Sequence, residues 1–498
     1  MCLSKSRFLL TATLFLCTAV CIACSNHSSP NSVAADSGKI PITTKSDEAR
    51  KEFLQGRDLS ERLLANDSVP HFEKAIALDP EFASAELAHA NNSATAKDFF
   101  DHLKKAVALA DKTSEGEKVL ILAVQAGANA DAVKQKDYLE KLVAAYSNDE
   151  RALTALGNYH FGQQEFDQAI ADYKKATELA PGYSPAFNIL GYSYRQQGNY
   201  ADAEQVFKKY VELIPNDPNP YDSYAELLLK MGKFEDSIAQ YRKALSVDPH
   251  FVPSHFGIAA DLMYMGKPEE ATAELQKMAA GARNDGELRT ALFGLAVVDT
   301  DRGKLDQALD NLTKQFSIAE KKNDAAAMAG DLRAKGNILE QMHRYDDAAQ
   351  EFNKSLQLIE ASALSQEIKD NAKLLHHYNL AAVAIGKKNY ADAKSHAEQF
   401  RQGTDSANNA ALRKQAHELA GRVALAEKDY DKAIAELEQA NQQDPQNLYR
   451  LSQAYQAKGD TANAREFCTK AAEFNSLPQL NYAFVRTVAR KTLSSKKA

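Results

Sequence analysis

Tryptophan is absent from the chain, and only 14 prolines and 22 glycines punctuate its 498 residues. With Ala, Leu, Lys, Glu, Gln and Asp dominant instead, the usage is that of a helical protein with short loops. Cysteine is nearly missing from the body: Cys2, Cys17, Cys21 and Cys24 crowd the N-terminus, and only Cys468 lies beyond them. No intramolecular disulfide can therefore form within residues 25–498, and Cys468 falls where an apolar packing residue belongs. A basic excess is missing too. The formal charge is −7, which argues against a nucleic-acid partner, because phosphate binding needs a basic footprint. The one basic cluster, Arg486, Arg490, Lys491, Lys496 and Lys497, reads as a solvated helix end and tail, with anionic lipid or an acidic partner as the alternative contact. Catalytic signatures are missing as well: there is no G-x-x-x-x-G-K-[ST], H-E-x-x-H, G-x-S-x-G or EF-hand loop. No enzyme activity, cofactor or metal is expected. His376 and His377 with His396 do not change this, since neighbours on a helix point about 100° apart and the bland reading is surface histidine.

What is present begins at the N-terminus. Lys5 and Arg7 precede an apolar run over residues 8–20, and the pair Ile22-Ala23 leads into Cys24. This is the layout of a secretory signal over residues 1–23, with a run too short for a comfortable membrane span. Its end resembles the bacterial lipobox, in which a small residue precedes the cysteine that is lipidated. That resemblance makes Cys24 the lipidation site and implies an exported lipoprotein on the periplasmic face of the outer membrane. Cys21 stands where the lipobox usually has Leu, so ordinary cleavage after Ala23, giving a soluble periplasmic or secreted protein, is the alternative. Cys17, Cys21 and Cys24 also resemble the iron-sulfur loop of radical S-adenosylmethionine enzymes, but an export signal ahead of a helical chain is the wrong context. Residues 24–46, rich in Ser, Asn and Thr, have too few apolar groups to repay ordering and are expected to be a flexible tether.

At 498 residues the chain is longer than one core usually grows, so it is either several domains or an array that extends without closing. Its pattern favours the array. Gly157, Gly191, Ala225 and Ala259 recur at one spacing, as do Ala169, Ala203, Ser237 and Ala271, Tyr173, Phe207, Tyr241 and Leu275, and Pro181, Pro215 and Pro249. Phe166, Ala169, Ile170, Tyr173 and Ala176 make an apolar stripe on the second helix of a pair. Gly157 and Ala169 are small where two helix axes approach, and a large side chain there would overpack at roughly 1 to 3 kcal/mol. Pro181 and its equivalents end each pair, while Pro185 and Pro253 suit the opening turn of the next helix.

Small, aromatic and proline columns at this period resemble the tetratricopeptide repeat. The resemblance implies an all-α, right-handed superhelical solenoid of about twelve helix pairs. The array divides at 47–283 and 284–475, the second half with longer repeats, and residues 476–498 form a capping helix and basic tail. First helices would line a concave groove that takes a peptide or helix of a protein partner. By resemblance, the groove-facing positions are Thr154 and Asn158, Asn188 and Tyr192, Asp222 and Glu226, then Phe256 and Ala260. The two acids would suit a basic residue of the ligand, or would merely solvate the face beside Arg195. Arg333 and Asn337 match one step of the carboxylate clamp found in some relatives. Phe293 with Val297, and Tyr378 with Ala382, stand at the neighbouring steps, so the full clamp is absent. The function implied is a non-catalytic, lipid-anchored adaptor for a cell-envelope complex, with protein and membrane as partners and no nucleic acid. The competing reading is a regulatory or sensor protein that binds a small ligand or controls a separate enzyme.

Overall fold

The computed structural model describes residues 38–406, 409–477 and 479–495. Among these residues there are 25 α-helices and no strands. The first five pairs are α1 (Asp47–Glu61) with α2 (Ala65–Leu78), α3 (Ala83–Asn92) with α4 (Ala96–Leu109), α5 (Glu115–Ala128) with α6 (Ala132–Ala145), α7 (Glu150–Gly162) with α8 (Phe166–Leu179), and α9 (Ser184–Gln196) with α10 (Tyr200–Leu213). Next come α11 (Pro218–Lys230), α12 (Phe234–Val247), α13 (Val252–Tyr264) and α14 (Pro268–Ala280). The later pairs are α15 (Asp285–Asp301) with α16 (Leu305–Lys321), α17 (Ala325–Gln341) with α18 (Tyr345–Ala361), and α19 (Gln366–Gly386) with α20 (Tyr390–Ser406). The last are α21 (Ala410–Ala426) with α22 (Tyr430–Gln439) and α23 (Pro445–Lys458) with α24 (Thr461–Ala472), followed by the single helix α25 (Leu480–Ser495). Consecutive helices thus form twelve pairs and one terminal helix, the expected all-α repeat architecture.

Local rules explain the boundaries. Second helices bury one stripe each, for example Ala169, Ile170, Tyr173 and Ala176 on α8. Loop residues Pro181, Pro215 and Pro249 follow the ends of second helices, and Pro185 and Pro253 sit in the first turns of α9 and α13. The turn between the helices of a pair needs one left-handed residue. Gln164, Gly198, Gly232 and Gly266 supply it at φ of 63°, 79°, 75° and 77°, a further column at the repeat spacing that permits the tight reversal. The small column works as the sequence implies: a Cβ on Gly157 would lie 2.6 Å from the Tyr173 ring, and one on Gly191 2.6 Å from that of Phe207. Those rings are fully buried, each contributing roughly 1.5 to 3 kcal/mol of apolar burial. Cys468 is buried and packs with Leu448, Ala471, Val485 and Ala489.

The chain divides into two compact units. Of the described residues, the N-terminal unit holds 38–227 and 246–249, and the C-terminal unit holds 228–245 and 250–495. This boundary falls inside α11, upstream of residue 284; α13 has 13 residues, α15 17 and α22 10. Each unit carries contacts that skip several repeats. In the N-terminal unit the Arg62 guanidinium grips Asp217 with Nε at 3.0 and 2.9 Å from the two carboxylate oxygens, and Arg151 Nε lies 3.8 Å from the buried Glu61. In the C-terminal unit α25 packs on α15 as well as on α23 and α24.

Candidate protein-binding surfaces

Groove-facing residues are useful only if they are accessible, and in both units the first helices are buried nearly all round. Thr154 has no exposed surface and its hydroxyl donates to the Glu150 carbonyl of its own helix at 2.7 Å. Asn158 accepts from the Tyr173 hydroxyl at 2.7 Å, tying α7 to α8. Asn188, Tyr192 and Glu226 are brought together, but as a seam between α9 and the start of α11. Ser223 Oγ donates to Asn188 at 2.8 Å, the Tyr192 hydroxyl donates to Glu226 at 3.0 Å, and Arg195 donates to Glu226 at 2.8 Å. The Arg195 guanidinium also lies 4.5 Å from the Tyr192 ring centroid, a partly desolvated cation-π contact. Burial, reinforced by Glu226, holds the Tyr192 hydroxyl well above its usual pKa.

The two acids expected to face a basic peptide are both engaged or buried within the fold. Asp222 is 3% exposed, and Glu226 already has Arg195 as its counter-ion. Phe256 and Ala260 are buried as well, Phe256 against the backbone of Gly294 on α15. Arg333 Nη1 donates to Ser355 on α18 at 3.2 Å, and Asn337 is half-buried. Ser223 was missed in the sequence. Its signal was available, because Asn188 and Ser223, like Tyr192 and Glu226, stand about one repeat apart.

In the C-terminal unit the inner faces carry a buried charge network. Glu418 on α21 accepts from the Tyr378 hydroxyl of α19 at 2.6 Å and from Arg450 of α23 at 2.9 Å. Arg422 reaches past α19 to Glu340 of α17 at 2.9 Å. Burial alone would raise the Glu418 carboxyl, but Arg450 and Arg422 outweigh it and hold it below the ordinary value. His377 and His396 meet with their Nδ1 atoms 3.1 Å apart. No cluster of three or more His, Cys, Asp or Glu among the described residues is arranged for a metal ion.

Extended main chain of the protein itself is held on the N-terminal unit. Residues 38–46, expected to be tether, instead lie along the starts of the first helices of the N-terminal unit. The amides of Ile40, Thr43 and Lys45 donate to Asp149, Glu117 and Asp79 at 2.7, 2.9 and 3.0 Å. The hydroxyls of Thr43 and Thr44 donate to Glu117 and Asp79 at 2.5 and 2.6 Å, and Lys39 pairs with Glu150. Ile40 and Ile42 pack against the cores formed by α5 to α7 and by α1 to α3. Burial would raise the Asp79 carboxyl; the Thr44 hydroxyl and the Lys45 and Glu81 amides outweigh it and leave it below its ordinary value. The Asp79 carboxylate is therefore a charged acceptor for the Lys45 main-chain N–H, the stronger kind of hydrogen bond. Replacing Asp149 by Asn and Glu117 by Gln keeps a helix cap at both positions and removes the charge. Amide exchange at Ile40 and Thr43 should accelerate at least ~10-fold, measured by hydrogen exchange, with the α8–α9 amides unchanged. Unchanged protection of the arm would show that its apolar contacts alone hold it.

Comparison with known proteins gives the repeat a name. Residues 154–218 match one family model described as Tetratricopeptide repeat, and residues 219–251, 415–447 and 445–476 match a second with the same description. These segments are tetratricopeptide repeats, which generally mediate protein–protein interaction. No curated protein matches the chain in sequence. Among solved structures, the Cut9-Hcn1 hetero-tetramer of the APC/C is similar at a TM-score of 0.42 and 15% identity, covering 86% of this chain and 77% of that one. A tetratricopeptide repeat protein from Parabacteroides merdae ATCC 43184 gives 0.36 and 15%, covering 57% and 99%. MamA from Desulfovibrio magneticus RS-1 gives 0.29 and 17%, covering 33% and 93%.

Proposed function

We propose that the chain is a non-catalytic protein-binding scaffold, held at the cell envelope by a lipid on Cys24 and serving assembly of an envelope complex. The observation that carries the binding role is the repeat array itself: twelve helix pairs and one terminal helix occupy nearly all the described residues from 47 onward, leaving no separate catalytic domain. The docked arm supports it, because side chains of the N-terminal unit there recognise an extended main chain. Anchoring rests on the Lys5–Arg7 n-region, the short apolar run and Ile22-Ala23-Cys24, all of which lie outside the described residues. No helix among the described residues is long and apolar enough to cross a membrane. Intact mass of the protein from its own cells should show Cys24 as the acylated first residue, and Cys24→Ser should move the protein from the membrane to the soluble fraction. A Cys24→Ser protein that stays equally membrane-bound would contradict the anchor.

A further inference from the structure

Three helix pairs of the C-terminal unit join their two helices at one register position. His255 of α13 meets Glu274 of α14, and His417 of α21 meets Glu436 of α22 through Nδ1 at 2.8 Å, the partners standing 19 residues apart in both. Each histidine lies nine residues before the end of its helix, and each glutamate six after the start of the next. The pair of α19 and α20 keeps this register and the same separation of 19, but the second helix supplies His396 where the others supply glutamate, and its partner is His377. The substitution changes the chemistry of the contact. A carboxylate supports a histidine in either charge state, whereas a second imidazole repels it once both are protonated. Burial, and after it His396, hold His377 below the ordinary histidine pKa, which leaves the neutral ring that metal ions bind. The ring planes are inclined at 33° with centroids 5.4 Å apart, so the two rings meet nitrogen to nitrogen and not face to face.

The two Nδ1 atoms are 3.1 Å apart. Imidazole nitrogens bound to one ion at about 2.0 to 2.1 Å lie about 2.9 Å apart at a right angle and about 3.3 Å apart at the tetrahedral angle, and the observed separation falls between these. We propose that His377 and His396 form a two-histidine site for a divalent transition-metal ion, bound through both Nδ1 atoms and clamping α19 to α20. Imidazole suits copper, nickel and zinc, and copper(II) binds tightest of the three. The sequence grouped His376 with this pair, but its neighbour on the helix points about 100° away, and no third His, Cys, Asp or Glu among the described residues completes a cluster. Both rings are half-buried, so the remaining positions on the ion open to water and the ion is exchangeable. Without an ion the same separation suits one Nδ1–H donating to the lone pair of the other ring.

The test uses the purified full chain, stripped of metal and with its accessible thiols alkylated, and copper(II) as the probe. His396→Glu is the first variant, because the fold already holds a His–Glu pair in this register at His255 with Glu274 and at His417 with Glu436. His377→Gln is the second. Binding sites shared by all three chains cancel in the comparison. Wild type should bind one equivalent that both variants bind at least ~10-fold more weakly, the least that even an outer partner of a metal ligand is worth. Electron paramagnetic resonance of that equivalent should show two imidazole nitrogens. Hydrogen exchange of the α19 and α20 amides should slow when copper binds wild type and stay unchanged when it is added to either variant. Equal uptake by wild type and both variants, each with unchanged helicity, would mean adventitious copper only and overturn the proposal. So would a spectrum with a single nitrogen, or bound copper that leaves exchange in α19 and α20 as it was. None of these outcomes bears on the scaffold reading, and failure to find an envelope partner would leave the copper result standing.

Discussion

Asp261→Asn raises the melting temperature of the protein at pH 8 and leaves it unchanged at pH 4. Asp261 on α13 has no exposed surface, and burial pushes its carboxyl up to about 8, with the Ser237 hydroxyl offsetting part of the shift and Glu235 adding to it. In the unfolded chain the same group ionises near 3.8. A raised folded value means that the folded state keeps a proton that the unfolded state gives up. The stability attached to this group is therefore complete below pH 3.8 and is lost as pH rises to about 8, beyond which no more is lost. At pH 7 the loss is roughly 4 kcal/mol. Asparagine is neutral at every pH and of the same shape, so it removes the dependence. Circular dichroism melts from pH 4 to 9 should converge at the acid end and diverge progressively from above about pH 4 to about 8; parallel curves would mean that Asp261 is solvated or paired.

Glu418→Ala is expected to destabilise the C-terminal unit by about 3 to 5 kcal/mol, the cost of leaving buried cations without their carboxylate. Arg450 and Arg422 both act on Glu418, and the Tyr378 hydroxyl donates to it. Removing the charge from both sides should cost far less, because the penalty is the uncompensated charge and not the loss of the pair. Glu418→Met with Arg450→Met is therefore expected to be more stable than Glu418→Ala alone. Denaturant unfolding of the two variants against wild type decides it, and a Glu418→Ala loss below about 1 kcal/mol would place Glu418 in the surface-pair range.

The repeat was legible in the sequence because its cause is local. Gly157 must be small where Tyr173 packs, and Pro181 must end a helix, whatever the rest of the chain does. Accessibility of the inner faces was not legible. It depends on side chains from distant repeats, such as Arg422 reaching Glu340 or Arg62 reaching Asp217. The register assigns Asp222 and Glu226 to one column, yet a column says nothing about how closely the next first helix approaches. Residues 38–46 were misread for a related reason. Composition counts their few apolar groups, whereas what holds them is three carboxylates that lie 34 to 109 positions away. Arg486 repeats the lesson: in a basic tail it looks solvated, and only the fold brings Asp301 beneath it.

Crosslinking in the cells that make the protein, followed by native purification from their membranes, tests the scaffold role most directly. The account predicts one envelope protein joined to the chain at fixed stoichiometry and retained without detergent-sensitive lipid bridging. A chain recovered alone, with no joined protein above the background of an unrelated lipoprotein, would contradict it.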